Sequence, residues 1–143
     1  MPSTATTGLG VARTDRAFIN TWIAGQPTVT MPAGGVGTFN GAAVGTVFNN
    51  GATYLAAGGF NQTYNFGSRS GTLNITNFDG QNYTSTVSGS GTQFSGRLTG
   101  PANRSGAVAG SFYGPSAVET GGSFNIQSVS GLRYLASGIF AGR

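Results

Sequence analysis

The sequence contains no cysteine, no histidine and no lysine, and its acidic residues number only 3. Without cysteine there is neither a disulfide framework nor a thiol nucleophile. Without histidine the usual base of a nucleophilic triad and the commonest metal ligand are missing. The carboxylates, Asp15, Asp79 and Glu119, lie in separate parts of the chain. The sequence therefore predicts no enzyme activity, no metal site and no cofactor, haem included.

Concentrated positive charge is also missing. The 7 basic residues are all arginines, and the net charge of +4 is spread along the chain without a basic run. Nucleic-acid binders concentrate such charge in a stripe or patch, so no nucleic-acid partner is expected. No apolar run has the length of a membrane-spanning helix, and the first residues lack the pattern of a signal peptide.

Glycine and aromatic residues are what the chain has in abundance. It carries 26 glycines, 10 phenylalanines, 5 tyrosines and one tryptophan in 143 residues. Disordered chains with so much glycine are poor in aromatic residues, whereas here the rings recur regularly between Thr, Ser and Asn. The length suits one domain, and the rings provide for a buried core.

The aromatic residues after residue 37 follow a period of two. Phe60, Gln62, Tyr64 and Phe66 alternate with polar residues, which predicts one buried and one exposed strand face. Turn signals such as Asp79-Gly80 separate eight such segments. An even number of antiparallel strands can close and leave no exposed edge. The predicted interior residues are Phe39, Phe60, Tyr64, Leu73, Ile75, Phe94, Leu98, Val108, Phe112, Phe124, Ile126 and Phe140.

The predicted fold is therefore all-β, an eight-stranded antiparallel β-barrel over residues 38–143. Residues 1–37 are expected to form an N-terminal extension that packs on the barrel, with residues 13–25 either extended or briefly helical. Several strands are shorter than the ~9–11 residues of a membrane strand. In addition, a lumen lined with Thr, Ser and Asn would be too narrow for water. A barrel filled by side chains is favoured over a membrane barrel.

A corner near the end of the chain carries a recognisable motif. A strand ending at Tyr113 is predicted to lead into a Gly-Pro corner with one helical turn over residues 115–119. Two glycines with unusual backbone angles follow, and a second strand opens at Ser123. The motif residues are Phe112, Tyr113, Gly114, Pro115, Ala117, Glu119, Gly121, Gly122 and Phe124, followed by the segment 138–143.

This motif resembles the closing segment of the β-barrel domains of the transferrin-binding protein B family, surface lipoproteins of Gram-negative bacteria. The resemblance implies an eight-stranded antiparallel barrel, without implying that this chain binds transferrin. Members are usually anchored through a lipidated cysteine, which this chain lacks. We therefore expect a domain excised from an exported, cell-surface or outer-membrane-associated protein, with the export signal and anchor elsewhere.

Charged turn residues sort between the two barrel ends, because successive hairpin turns alternate. The turns at Asn49, Asp79, Arg104 and Arg133 are predicted at one end, and those near Arg69, Ser90 and Glu119 at the other. Glu119 is accordingly expected to lie closer to Arg69 than to Arg104. The predicted binding rim comprises Asp79, Arg104, Arg133 and Tyr134, since Arg and Tyr often dominate interface energy. The alternative is that these are solvated turn residues.

Two functions remain open from the sequence. One is a non-catalytic barrel domain whose rim loops bind a host protein, an envelope protein or a small solute. The other is a structural cap or assembly module of a larger surface protein without its own ligand. A third, weaker possibility is a lipocalin-like pocket for a small apolar ligand, which would require an unfilled barrel.

Overall fold

The protein forms a single closed sheet. The computed structural model describes residue 28 and residues 30–101, 103–128 and 133–143, and within these ranges it contains strands and no helix. The predicted segment 13–25 and most of the 1–37 extension lie outside the described residues. The strands are β1 (Val36–Asn49), β2 (Ala52–Asn65), β3 (Ser70–Phe78), β4 (Gln81–Ser90), β5 (Gln93–Thr99), β6 (Arg104–Tyr113), β7 (Glu119–Ser128) and β8 (Tyr134–Gly142).

The strands pair in chain order, each antiparallel to the next, and β8 returns to pair with β1. Residues 41–49 of β1 face residues 142–134 of β8, with Ala43 opposite Phe140. The predicted eight-stranded antiparallel barrel is thereby confirmed, with its first strand opening two residues earlier than expected. No helix of the described residues has the length and apolar character needed to cross a membrane.

Two hairpins end in the tight turns that their sequences predict. Asp79 and Gly80 have φ of 52° and 79°, and Asn50 and Gly51 have φ of 54° and 93°. Both residues of each pair are left-handed, as a two-residue turn that matches the strand twist requires. The turn predicted near Ser90 is displaced, because the Gly89 N–H donates to the Arg69 carbonyl (2.8 Å) and strand β4 continues to Ser90.

The Gly-Pro corner differs from its prediction. Ser116 and Ala117 have φ of 57° and 60°, so the corner is a left-handed turn and contains no helical turn. Strand β7 opens at Glu119, opposite Tyr113, and not at Ser123. Strand β7 starts early because its pairing with β6 is continuous from Glu119 onward. Gly121 and Gly122 therefore lie inside a regular strand.

Aromatic rings fill the barrel. The interior set predicted from the alternation is confirmed at every position, and each of those side chains is at most 3% exposed. The sequence did not identify Phe78, Tyr83 and Tyr134, which are equally buried. Polar side chains also lie inside, namely Ser85, Gln62 and Thr120, and the Thr120 hydroxyl donates to Gln62 Oε1 (2.9 Å).

The described part of the N-terminal extension crosses one barrel mouth. Strand β6 continues beyond the start of β5, which leaves carbonyls on that side without a strand partner. The Thr28 N–H donates to one of them, Phe112 O (3.2 Å), and the Thr28 hydroxyl donates to Gly114 O in the corner that follows β6 (2.9 Å). Met31 packs against the core, so residue 28 and residues 30–35 cover this mouth.

The connections alternate between the two ends, as a closed meander dictates. We call the end with the turns at residues 50–51, 79–80 and 100–103 and the connection to β8 the Asp79 rim, and the opposite end the Glu119 rim. At the Glu119 rim, Glu119 lies 4.0 Å from the guanidinium of Arg143, the one ion pair among the described residues.

Candidate functional site

Asp79 is the centre of a hydrogen-bond network at the Asp79 rim. Its Oδ2 accepts the hydroxyl of Tyr54 (2.8 Å) and the hydroxyl of Tyr134 (2.9 Å). The Asn49 side-chain amide donates in turn to the Tyr54 oxygen (3.2 Å). Because Asp79 lies in the β3–β4 turn, Tyr54 on β2 and Tyr134 on β8, one carboxylate ties three parts of the rim together.

Arg104 extends this network to a fourth hairpin. Its guanidinium carbon lies 3.6 Å from the centroid of the Tyr134 ring, a cation–π contact. The same guanidinium donates to the Tyr83 hydroxyl (3.1 Å). Its Nε is buried and has no hydrogen-bond partner among the described residues. Arg104, Tyr134 and Asp79 therefore form a continuous chain of contacts beneath the rim loops.

The structure brings three of the four predicted rim residues into contact. Asp79 and Arg104 are half-buried, whereas Tyr134 is 2% exposed and lies beneath the surface. Arg133 is exposed beside them, and its carbonyl accepts the Asn50 N–H (2.9 Å). Sequence reasoning missed the contributions of Tyr54 and Tyr83, because no local pattern relates them to a turn that lies far along the chain.

Burial raises the pKa of the Tyr134 phenol far above its ordinary range. The hydrogen bond to Asp79, the neighbouring Tyr83 and the Asp79 charge raise this pKa further, while the Arg104 charge lowers it. The phenol therefore remains a protonated donor to Asp79 at any ordinary pH.

The first test of the network replaces its central carboxylate. Asp79→Ala is expected to lower the free energy of unfolding by about 2–4 kcal/mol, because it removes two bonds to a charged acceptor and leaves a buried phenol unpaired. Asp79→Asn keeps a turn-forming side chain and a carbonyl acceptor, so it should cost about half as much. Urea denaturation measures both values. Losses below about 0.5 kcal/mol for both variants would show that the network adds no stability.

The second test uses pH. The folded state holds the Tyr134 proton more tightly than the unfolded state, whose tyrosines titrate near pH 10. This stabilisation is therefore complete below about pH 10 and is lost as the pH rises further, by up to about 1.4 kcal/mol per pH unit. Burial raises the pKa of Tyr64 as well, so it adds to the slope. Tyr134→Phe should make the decline between about pH 10 and pH 11.5 shallower, as measured by denaturation at each pH. An unchanged slope would contradict the contribution of Tyr134.

Two recesses of the described residues lie outside the packed core. An open groove of about 760 Å³ runs over the outer wall of β4–β8 and is lined by Ser88, Ser95, Ala109 and Ser123. A recess of about 290 Å³ lies at the Glu119 rim between residues 31–33 and the rings of Tyr64 and Phe66. A lipocalin-like store would need interior space that packed rings occupy, so this alternative gains no support.

The barrel fold is shared with solved structures of other proteins. No protein-family model and no curated protein sequence matches the chain. A mutant transferrin-binding protein B from Haemophilus parasuis is 24% identical, with a TM-score of 0.68 over 83% of this chain and 27% of that chain. Isotype 1 transferrin-binding protein B from Neisseria meningitidis is 21% identical, with a TM-score of 0.60 over 83% of this chain and 28% of that one.

A third solved structure, described as a surface lipoprotein, is 16% identical, with a TM-score of 0.67 over 82% of this chain and 64% of that chain. The TM-scores show that these proteins share the fold, and identities below 25% support nothing beyond the fold. The resemblance to transferrin-binding protein B barrels is thus confirmed at the level of the fold. The chain spans little more than a quarter of the length of the two transferrin-binding proteins.

Proposed function

We propose that this chain is a non-catalytic barrel domain of an exported, surface-located bacterial protein, and that its Asp79 rim binds a protein partner. The observation that carries the proposal is the Asp79 network, which fixes loops from separate hairpins in one arrangement. Preorganised loops on a rigid sheet lose little freedom on binding and are a common basis of recognition. The shared fold with transferrin-binding proteins and a surface lipoprotein supports the location.

The chemistry of the rim favours a protein over a small solute. Arg133 is exposed at its surface, two residues before Leu135 on the outer wall of β8. Leu135 is 54% exposed and lies opposite Phe48 of β1, which is 41% exposed. An arginine beside apolar side chains is typical of protein interfaces. Within this proposal Asp79 and Arg104 border the contact surface, while Tyr134 supports it from beneath.

The test is capture of a partner by immobilised full-length chain from host serum and from envelope fractions of the source bacterium. Arg133→Asn should weaken binding of the captured protein at least tenfold, since an interface arginine often contributes more than 1.4 kcal/mol. Arg69→Asn is the matched control at the opposite rim, and Asn suits the left-handed backbone there (φ 57°). Equal weakening by both variants would contradict a site at the Asp79 rim. Purified transferrin is included as one candidate.

The second candidate function is a structural cap or assembly module without its own ligand. The observation in its favour is that this chain corresponds to about a quarter of the transferrin-binding proteins whose fold it shares. Under this function neither serum nor envelope yields a partner. The rim variants then alter stability without altering any binding.

We also propose that the residues before Thr28 remain packed on the barrel at the Glu119 rim. Thr28 is 4% exposed and bound to the carbonyls of Phe112 and Gly114, which fixes where that segment joins the barrel. Trp22 is the only tryptophan, so its fluorescence reports on the segment alone. Emission at the wavelength of a buried indole, shifting to that of a solvated one in Thr28→Pro, is expected. Emission of a fully solvated indole in the unaltered chain would contradict the packing.

A further inference from the structure

One stretch of strand β2 has a neighbour on one side only. Strand β2 pairs with β1 along its whole length, but its pairing with β3 begins at Gly59, opposite Thr76. Strand β3 leaves β2 there because Asn77 is left-handed (φ 53°) and its pairing shifts between Ile75 and Phe78. A Cβ atom at Gly58 would still meet the backbone of Thr76 and Phe78. Residues 52–57 project beyond β3 at the Asp79 rim, and we call them the open edge.

The backbone of the open edge presents unpaired hydrogen-bonding groups. The two-residue turn at Asn50 and Gly51 makes Asn49 and Ala52 a hydrogen-bonded pair, and such pairs recur at every second residue. Tyr54 and Ala56 accordingly bond to β1, whereas Thr53, Leu55 and Ala57 direct their N–H and C=O groups away from it. Strand β6 also extends beyond its neighbour β5, but there Thr28 donates hydrogen bonds to the carbonyls of Phe112 and Gly114.

The open edge lacks the features by which proteins usually prevent strand addition. Exposed edges are commonly protected by charged residues or proline, and A-T-Y-L-A-A contains neither. Its central residue, Leu55, is 82% exposed, the highest value among the exposed large hydrophobic residues of the described chain. Leu55 lies on the same outer wall as Phe48 and Leu135, so an apolar surface adjoins the free backbone groups.

We propose that a second copy of this chain pairs with the open edge, antiparallel and about a two-fold axis at Leu55. In this register Leu55 faces its own counterpart, Tyr54 faces Ala56, and Thr53 faces Ala57. Each large side chain away from the axis meets a small one, and no like charges meet, as a self-complementary interface requires.

The apolar outer walls of the two copies become neighbours in this dimer. Six residues on each side form an interface below the standard size of roughly 1,600 Å², so the dimer is weak and depends on concentration. The open edge adjoins Phe48 and Leu135 of the proposed rim surface, but Leu55 is not part of that surface.

Sedimentation velocity of the full chain tests the dimer. The apparent mass should rise from 14.4 kDa towards twice that value as the concentration approaches about 1 mM. Leu55→Lys places two like charges opposite each other and should raise the dissociation constant at least tenfold. Val118→Lys is the control, because Val118 is 54% exposed in a turn of the Glu119 rim. A monomer at all concentrations, or equal weakening by both variants, would overturn the proposal.

A crosslink tests the register. The chain has no cysteine, so Leu55→Cys introduces a single thiol in each copy. Opposite residues of a hydrogen-bonded antiparallel pair lie about 5.5 Å apart at Cα, within the reach of a disulfide. Diamide oxidises the two thiols to one disulfide and takes up the two hydrogens. Leu55→Cys should form covalent dimers at least tenfold faster than Val118→Cys, and equal rates would exclude this register.

The two proposals fail separately. Leu55→Lys should leave capture of the rim partner unchanged, whereas Arg133→Asn should leave the sedimentation of the chain alone unchanged. A chain that dimerises and captures no partner supports the open-edge dimer and contradicts the rim function. A chain that captures a partner and remains monomeric supports the rim function and contradicts the open-edge dimer.

Discussion

Phe112→Ala is expected to lower the free energy of unfolding by about 3–5 kcal/mol. The Phe112 ring is 0% exposed, and its centroid lies 4.8 Å from that of Tyr64, 5.1 Å from that of Phe94 and 5.4 Å from that of Phe66. Truncation removes the ring that all three contact and leaves a cavity between backbones that the closed sheet holds apart. A loss of this size is a large part of the stability of an ordinary domain.

Phe48→Ala is the matched control for this experiment. It deletes the same ring from the outer wall of β1, where Phe48 is 41% exposed, so its cost should stay below about 1 kcal/mol. Denaturation of both variants in urea gives the two values. If the two losses were equal, the aromatic cluster inside the barrel would not be the main source of stability.

Gly122→Ala should cost about 3 kcal/mol or more, although it adds only one methyl group. A Cβ atom at this position would overlap the Ala109 carbonyl and lie 2.5 Å from the Gly110 Cα. Both contacts are backbone atoms of the neighbouring strand β6, which cannot rotate away as a flexible side chain would. Either the strands separate locally or the substituted chain fails to close the barrel.

Gly34→Ala is the control for the added methyl group. Nothing lies within 4 Å of a Cβ atom at Gly34, so stability should change by no more than about 0.5 kcal/mol. Thermal and urea denaturation measure both variants. A cost below about 1 kcal/mol for Gly122→Ala would show that the close approach of β6 and β7 is not required for folding.

Close approach also explains why the sequence was misleading at the Gly-Pro corner. Two adjacent glycines favoured unusual backbone angles, yet Gly121 and Gly122 lie in a regular strand. At Gly122 the reason for glycine is the neighbouring backbone, which only the folded sheet brings near. The left-handed residues of the corner are Gly114, Ser116 and Ala117, and no local preference of Ser or Ala predicts that conformation.

At the candidate site, too, the sequence predicted some features and only the folded structure revealed others. Strand counting placed Asp79 and Arg104 at one end, because turns alternate in any antiparallel meander. It gave no indication that Arg104 lies on the Tyr134 ring, or that Tyr54 and Tyr134 share the Asp79 carboxylate. Such contacts join residues that are far apart in sequence.

The sequence by itself determined the strands, their inward faces and most of their turns, since alternation and turn chemistry involve residues only a few positions apart. Tertiary structure alone decided which rim residues are buried, where glycine is indispensable and which edge stays unpaired. The physical reason is that barrel closure sets the distances between strands, and no short segment of sequence encodes those distances.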